Sequence, residues 1–187
     1  MTFSDILQQQ YKLSKDSIHL LLKDVTTISF NRKEPIVQEG QRNEYIYFVE
    51  KGSVRGFIER EGKEFTLLFA FEGDMSATMP NLSQTPTAKF TLEALESSTL
   101  VQISRSHLEY LFLHSLELAN WGRKMMEKTM QEYEHYFIEY YWADKGHQYQ
   151  ILIKEYPQLL QRVSLKEIAS YLNITPQSLS RIRAHLK

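Results

Sequence analysis

The sequence predicts an α+β protein: a jelly-roll-like array of short antiparallel strands, one long helix, and a C-terminal helix-turn-helix. Three observations predict it. Residues 25–103 hold short runs rich in β-branched and aromatic residues, separated by turn signals and uninterrupted by any segment of helix length. Residues 105–142 then change to helical periodicity, with apolar residues on heptad a and d positions. Residues 164–186 carry the cap, turn and buried-stripe signals of two short helices in succession.

Taken in chain order, residues 4–23 read as helical, with Ile6, Leu7, Leu13, Ile18, Leu21 and Leu22 among polar residues. Strands are expected at 25–30, 45–49, 53–59, 65–71, 90–94 and 99–103, with turns at 39–41, 51–52, 60–63 and 72–74. In the long helix, Leu116, Ala119, Met126, Met130, Tyr133, Phe137 and Tyr140 form a seam broken only at Arg123. Such a seam suits a helix pairing with its twin in a homodimer, and equally one that covers the open side of the roll within one subunit. A further helix at 145–161, carrying Tyr149, Leu152, Ile153, Tyr156 and Leu159, supports the C-terminal pair. The domains expected are 1–142, with a dimerisation helix at about 105–142, and 143–187.

The C-terminal pair is the most informative segment. Ser164 and Glu167 make an S-x-x-E capping box, and Ile168 and Leu172 share one face of the helix it opens. Asn173 falls at the turn, a place that favours a residue tolerating left-handed backbone angles. Thr175 caps the second helix, Pro176 fills its first turn, and Leu179, Ile182 and Leu186 recur as its apolar stripe. At 100° per residue, Gln177 and Arg181 point away from Leu179, with Ser178 on one flank. Arginine pairs bidentately with guanine and glutamine with adenine in the major groove. Thr175, Arg183 and Lys166 are assigned to phosphates, Arg183 with its stem against the buried stripe. Residues 143–187 hold a balance of +4 in a chain of net charge −1, leaving −5 for residues 1–142, so the basic excess lies where phosphate would be met.

Composition removes several classes. With 187 residues and 42% hydrophobic content the chain can bury a core in one or two domains. Cysteine is absent, which excludes disulfides, thiolate zinc sites and cysteine-bound iron–sulfur clusters. The six histidines (His19, His107, His114, His135, His147, His185) form no close pair, and none falls in 25–103, where a cupin-type enzyme would need them. No G-x-S-x-G elbow is present. An enzyme is therefore not expected, nor a cofactor or metal. The N-terminus lacks a signal-peptide pattern, and no apolar run approaches the roughly 18 residues of a membrane span, so a cytoplasmic protein with no membrane partner is expected.

The order of parts resembles the Crp/Fnr family of bacterial transcription regulators. The hairpin Tyr-Ile-Tyr-Phe-Val-Glu-Lys-Gly-Ser-Val at 45–54 is similar to the family's Y-x-V-x-x-G-x-V, and Gly62-Lys63-Glu64 with Glu72-Gly73-Asp74 to its G-K-E…x-G-D stretch. The segment 98–104 resembles the strand that returns to the long helix. The resemblance implies a β-roll sensor of the cyclic-nucleotide-binding type, a homodimer, a palindromic DNA operator, possible contact with RNA polymerase, and a small-molecule effector whose identity is open.

One stretch departs from the family. Its phosphate-binding cassette reads roughly G-E-L and then R-S-A. Running on from Gly73, the matching positions are Ala77-Thr78-Met79 and Ala88-Lys89-Phe90, so Thr78 replaces the glutamate and Ala88 the arginine. Without the guanidinium a phosphate loses its forked, charge-assisted contact, and Lys89 supplies charge without that geometry. The base-facing positions fall near Tyr133 and Glu134. Cyclic AMP is therefore not expected to bind. The alternative function is a small-molecule-binding module whose helical tail docks a protein partner, which salt-dependent retention of a DNA duplex would separate from a regulator.

Overall fold

The computed structural model describes residues 2–76 and 87–186. The N-terminal segment, expected to be helical over 4–23, consists of two helices. Helix α1 (Phe3–Gln9) opens on a Thr2/Asp5 capping box, and α2 (Lys15–Leu22) opens on Ser14, whose hydroxyl accepts from the Ser17 amide. Between them Lys12 takes a left-handed φ of 54°, which ends the first helix and lets both Leu7 and Leu13 reach the same core.

Eight strands follow: β1 (Val25–Phe30), β2 (Pro35–Val37), β3 (Tyr45–Lys51), β4 (Val54–Arg60), β5 (Lys63–Ala70), β6 (Met75–Ser76), β7 (Thr91–Ala94) and β8 (Ser98–Ser104). They form two four-stranded sheets, ordered β1-β8-β3-β6 and β2-β7-β4-β5. The strands β2 and β6, three and two residues long, were not expected: neither is long enough to display a period-two pattern. Strand β8 is central to the first sheet, pairing antiparallel with β1 from Val25↔Ile103 to Phe30↔Ser98 and with β3 from Tyr45↔Ser104. The β3–β4 turn requires glycine. Gly52 has φ of 97°, and a Cβ there would lie 2.7 Å from the Ser98 Cα.

Strand β3 is buried on both faces, which explains its unbroken apolar run Tyr47-Phe48-Val49. Tyr47 and Val49 join Val37, Val54, Ala70, Ala88, Leu92 and Leu100 in the interior of the roll. Phe48 faces outward and is covered by the flanking helices, through Phe3, Leu7, Leu21, Leu108, Leu118 and Trp121. Here α3 (Arg105–His114) and α4 (Leu116–Trp142) are separated by Ser115, which has extended backbone angles. Glu117 near the start of α4 accepts from the Ser14 amide at 2.8 Å and from the hydroxyls of Ser14 and Ser17, fastening α2 to α4. Those bonds, chiefly the one from the Ser14 hydroxyl, hold its carboxyl below the usual glutamate range.

The chain divides into two compact units, Met1–Gly56 with Phe69–Glu127, and Phe57–Leu68 with Lys128–Lys187. The second unit holds the rest of α4, α5 (Lys145–Glu155), α6 (Leu159–Arg162), α7 (Leu165–Tyr171) and α8 (Pro176–His185). The helix expected over 145–161 ends at Glu155, because Pro157 cannot continue it. Tyr140, Tyr149, Leu152, Leu159, Val163, Ile168, Ala169, Leu172 and Leu179 are the buried apolar residues of this unit.

Candidate nucleic-acid interface

Helix α7 begins with the expected capping box: the Ser164 amide donates to Glu167 Oε2 at 2.8 Å, and the Glu167 amide donates back to Ser164 Oγ at 3.3 Å. Its end is closed by Leu172, whose amide bonds the Ile168 carbonyl, and by Asn173 at φ of 52°. The Ile174 amide returns to the Ala169 carbonyl at 3.0 Å, which turns the chain tightly enough for α7 and α8 to pack together. Ala169, with no accessible surface, is small where the two helices meet. Thr175 then caps α8 by accepting from the Ser178 amide at 3.1 Å, and Pro176 occupies the first turn.

The placement of the side chains follows from this geometry. Leu179 is fully buried, and Gln177 and Arg181 on the opposite face are exposed. Thr175 and Lys166 are exposed as well, while Ser178 and Arg183 are half-buried. Leu186 departs from the expected stripe. It is the C-cap of α8 and lies 44% exposed, because the helix ends one residue earlier and does not carry it back to the core. The buried stripe is thus Leu179 with half-buried Ile182.

A second group of residues positions α7 and was not legible in the sequence. Ser170 Oγ donates to the Glu64 carbonyl at 2.7 Å and accepts from the Thr66 amide at 2.9 Å and the Thr66 hydroxyl at 3.1 Å. The tip of the β4–β5 hairpin is thereby bonded to the first helix of the pair, within the second unit. These partners lie 104 and 106 positions apart, and a lone serine in a helix carries no local sign of them. Beside Ser170, Tyr171 meets Tyr136 and Tyr140 edge-on, with ring centroids 6.2 and 6.3 Å away. Burial pushes the phenols of Tyr140 and Tyr171 well above the usual tyrosine range, so both are neutral at any ordinary pH.

Tyr140 is consequently turned into the second unit at 7% exposure and leaves the heptad seam. The exposed apolar stripe of α4 runs through Met126, Met130, Tyr133 and Phe137, then passes to Tyr141, whose ring stacks on that of Phe137. Leu116 is 80% exposed and Ala119 half-buried at the other end.

Of the cassette positions, Ala77, Thr78 and Met79 lie outside the described residues. Gly73 takes φ of 91° and its amide bonds the Val49 carbonyl. Ala88 is 2% exposed in the apolar roll interior, and Lys89 is exposed.

Residues 27–115 match the family model described as the cyclic nucleotide-binding domain. Among solved structures, FixK2 from Bradyrhizobium japonicum is 21% identical with a TM-score of 0.73, covering 87% of this chain and 84% of that one. A CooA mutant from Carboxydothermus hydrogenoformans is 14% identical with a TM-score of 0.70, over 99% of this chain and 84% of that one. The c-di-GMP responsive global regulator CLP of Xanthomonas campestris is 17% identical with a TM-score of 0.64, over 92% and 91%. No curated protein matches. The roll is thus a cyclic nucleotide-binding domain by fold. With the helices that follow, the chain shares its fold with FixK2, CooA and CLP. No helix among the described residues is long and apolar enough to cross a membrane.

Proposed function

We propose that the chain is a homodimeric transcription regulator that reads a palindromic operator with α8. The observation that carries this reading is the division of α8 between a fully buried Leu179 and an exposed Gln177/Arg181 face, at the second position of a capped helix-turn-helix. Gln177, Ser178 and Arg181 address base edges, while Lys166, Thr175 and Arg183 position the motif on phosphates. In functional terms residues 1–142 are the sensor with its dimerisation helix and 143–187 the DNA reader.

The dimer is supported by the exposed stripe Met126, Met130, Tyr133 and Phe137, four large apolar side chains at heptad spacing on one helix. Pairing through it would set two recognition helices about one DNA turn, roughly 34 Å, apart. The sensor does not take cyclic AMP. Ala88, which aligns with the arginine of the family's cassette, is buried among Val54, Ala70 and Leu92 and offers a phosphate no guanidinium. Binding to duplex selected from a random pool, followed across salt concentration, tests the reading: a regulator selects a twofold-symmetric sequence and loses affinity steeply with salt. A helical tail that docks a protein partner would select none.

A further inference from the structure

Resting on the reading of α8 as the DNA reader of a homodimer, we infer that Gln148 is a positioning residue. It fixes the angle at which α5 leaves α4, and with it the half-site spacing that the dimer accepts. Helix α4 ends at Trp142 and α5 starts at Lys145, so only Ala143 and Asp144 separate helices of 27 and 11 residues. The last turn of a helix leaves carbonyls with no partner inside it. Two carbonyls at this corner, those of Tyr140 and Ala143, accept from Gln148 Nε2 at 2.9 and 3.0 Å. Gln148 Oε1 accepts in turn from Lys145 Nζ at 3.0 Å.

The tie crosses the joint, since Tyr140 lies in the last turn of α4 and Gln148 near the start of α5. Joints of a few residues are where helices swing, because their backbone torsions absorb the whole rotation. Here a rotation at Ala143 or Asp144 pulls at least one carbonyl from its donor. Gln148 is 8% exposed, so water has little access to replace the lost bond, and the parted groups stay unpaired. Trp142 against His147, with ring centroids 4.9 Å apart, and His135 Nε2, 2.6 Å from Glu155 Oε1, also link α4 to α5. Trp142 and His135 are more than half exposed, so these links are weaker than the buried one. Tyr171 of α7 meets the ring of the same Tyr140 edge-on, and α8 packs on α7. The reading helix is therefore referred to the last turn of α4.

In a dimer paired through α4, the placement of each α8 relative to α4 sets the separation of the two recognition helices. One turn of DNA is about 10–10.5 base pairs, so one base pair added to the spacer moves a half-site by roughly 3.4 Å and turns it by about 35°. A rigid corner rejects that change and a loose one follows it. Gln148 is buried and offers nothing to a base edge, so its effect falls on spacing and not on half-site sequence.

The test uses the full chain, the operator selected from a random pool, and two derivatives with one base pair inserted or deleted at the centre. Wild type should bind both derivatives at least about tenfold more weakly. In Gln148→Met, which keeps the side-chain length and loses both donors, that penalty should shrink to within about threefold, with the selected half-site unchanged. Gln148→Ala is measured beside it, each variant shown folded by circular dichroism, so that the result does not depend on one substitution. Lys145→Ala leaves both carbonyl bonds in place and should keep the wild-type penalty. A residue that only added stability would lower affinity for all three operators by one factor. That outcome, a wild type that accepts all three spacings, or a Lys145→Ala variant as permissive as Gln148→Met overturns the inference and leaves α8 as the reader. A wild type that selects no twofold-symmetric sequence overturns the dimeric reading and this inference together.

Discussion

Replacing Ser170 with alanine should release the tip of the β4–β5 hairpin from α7. The hydroxyl takes part in three hydrogen bonds, to the Glu64 carbonyl and from the Thr66 amide and hydroxyl, between 2.7 and 3.1 Å. Each is worth about 0.5–1.5 kcal/mol net, and water can replace part of that at a half-buried position, so the loss is about 1–2 kcal/mol. A sharper quantity is amide exchange at Thr66. Strand β5 is at the edge of its sheet, and the Thr66 amide bonds the serine hydroxyl rather than a neighbouring strand. A loss of about 1.4 kcal/mol of local protection is tenfold in rate, so Thr66 exchange in Ser170→Ala should rise about tenfold. The amides of β8 should be unchanged. Exchange at Thr66 equal to wild type, in a variant that remains folded, would refute the claim that Ser170 ties the hairpin to α7.

The other expectations are as follows. Met126→Glu with Met130→Glu places two charges on the exposed α4 stripe and should yield a monomer by sedimentation, with weakened duplex binding; wild-type protein that is already monomeric at micromolar concentration would remove the dimer. Calorimetric titration with cyclic AMP should give no heat of binding at physiological concentrations, and a micromolar dissociation constant would contradict the reading of Ala88. Because hydrogen bonds from Ser14 and Ser17 lower the Glu117 pKa in the folded state, its stabilisation is complete above the ordinary glutamate value of about 4.3 and is lost as pH falls through the lowered value. Denaturation midpoints measured between about pH 6 and pH 3 should therefore fall less steeply in Glu117→Gln than in wild type. Thr175→Ala removes the acceptor for the Ser178 amide and should cost about 1 kcal/mol of stability, read from urea unfolding.

The parts of the fold that local chemistry dictates were legible in the sequence. The Ser164/Glu167 box, the left-handed Asn173 and the Thr175–Pro176 start each depend on residues within four positions of one another, and each appears where expected. Six of the eight strands were readable from composition and turns, whereas β2 and β6 were not, being held by partners across the sheet rather than by their own pattern. Helix breaks at Lys12 and Ser115 were hidden because apolar periodicity continues across them. Tyr140 fits the heptad perfectly well by spacing, and only the tertiary pull of Tyr171 removes it from the seam. The Ser170 contact is likewise a product of long-range packing.

The central claim is that α8 reads bases through Gln177 and Arg181. Its most direct test is selected-site binding with wild type, Arg181→Ala and Lys166→Ala, each shown folded by circular dichroism. The account predicts that wild type selects a palindrome and that Arg181→Ala loses roughly 1–3 kcal/mol with relaxed preference at one base pair per half-site. Lys166→Ala should weaken all sequences alike and reduce the salt slope by roughly one. An Arg181→Ala variant that selects the wild-type sequence with undiminished preference would contradict the assignment of this face to the groove.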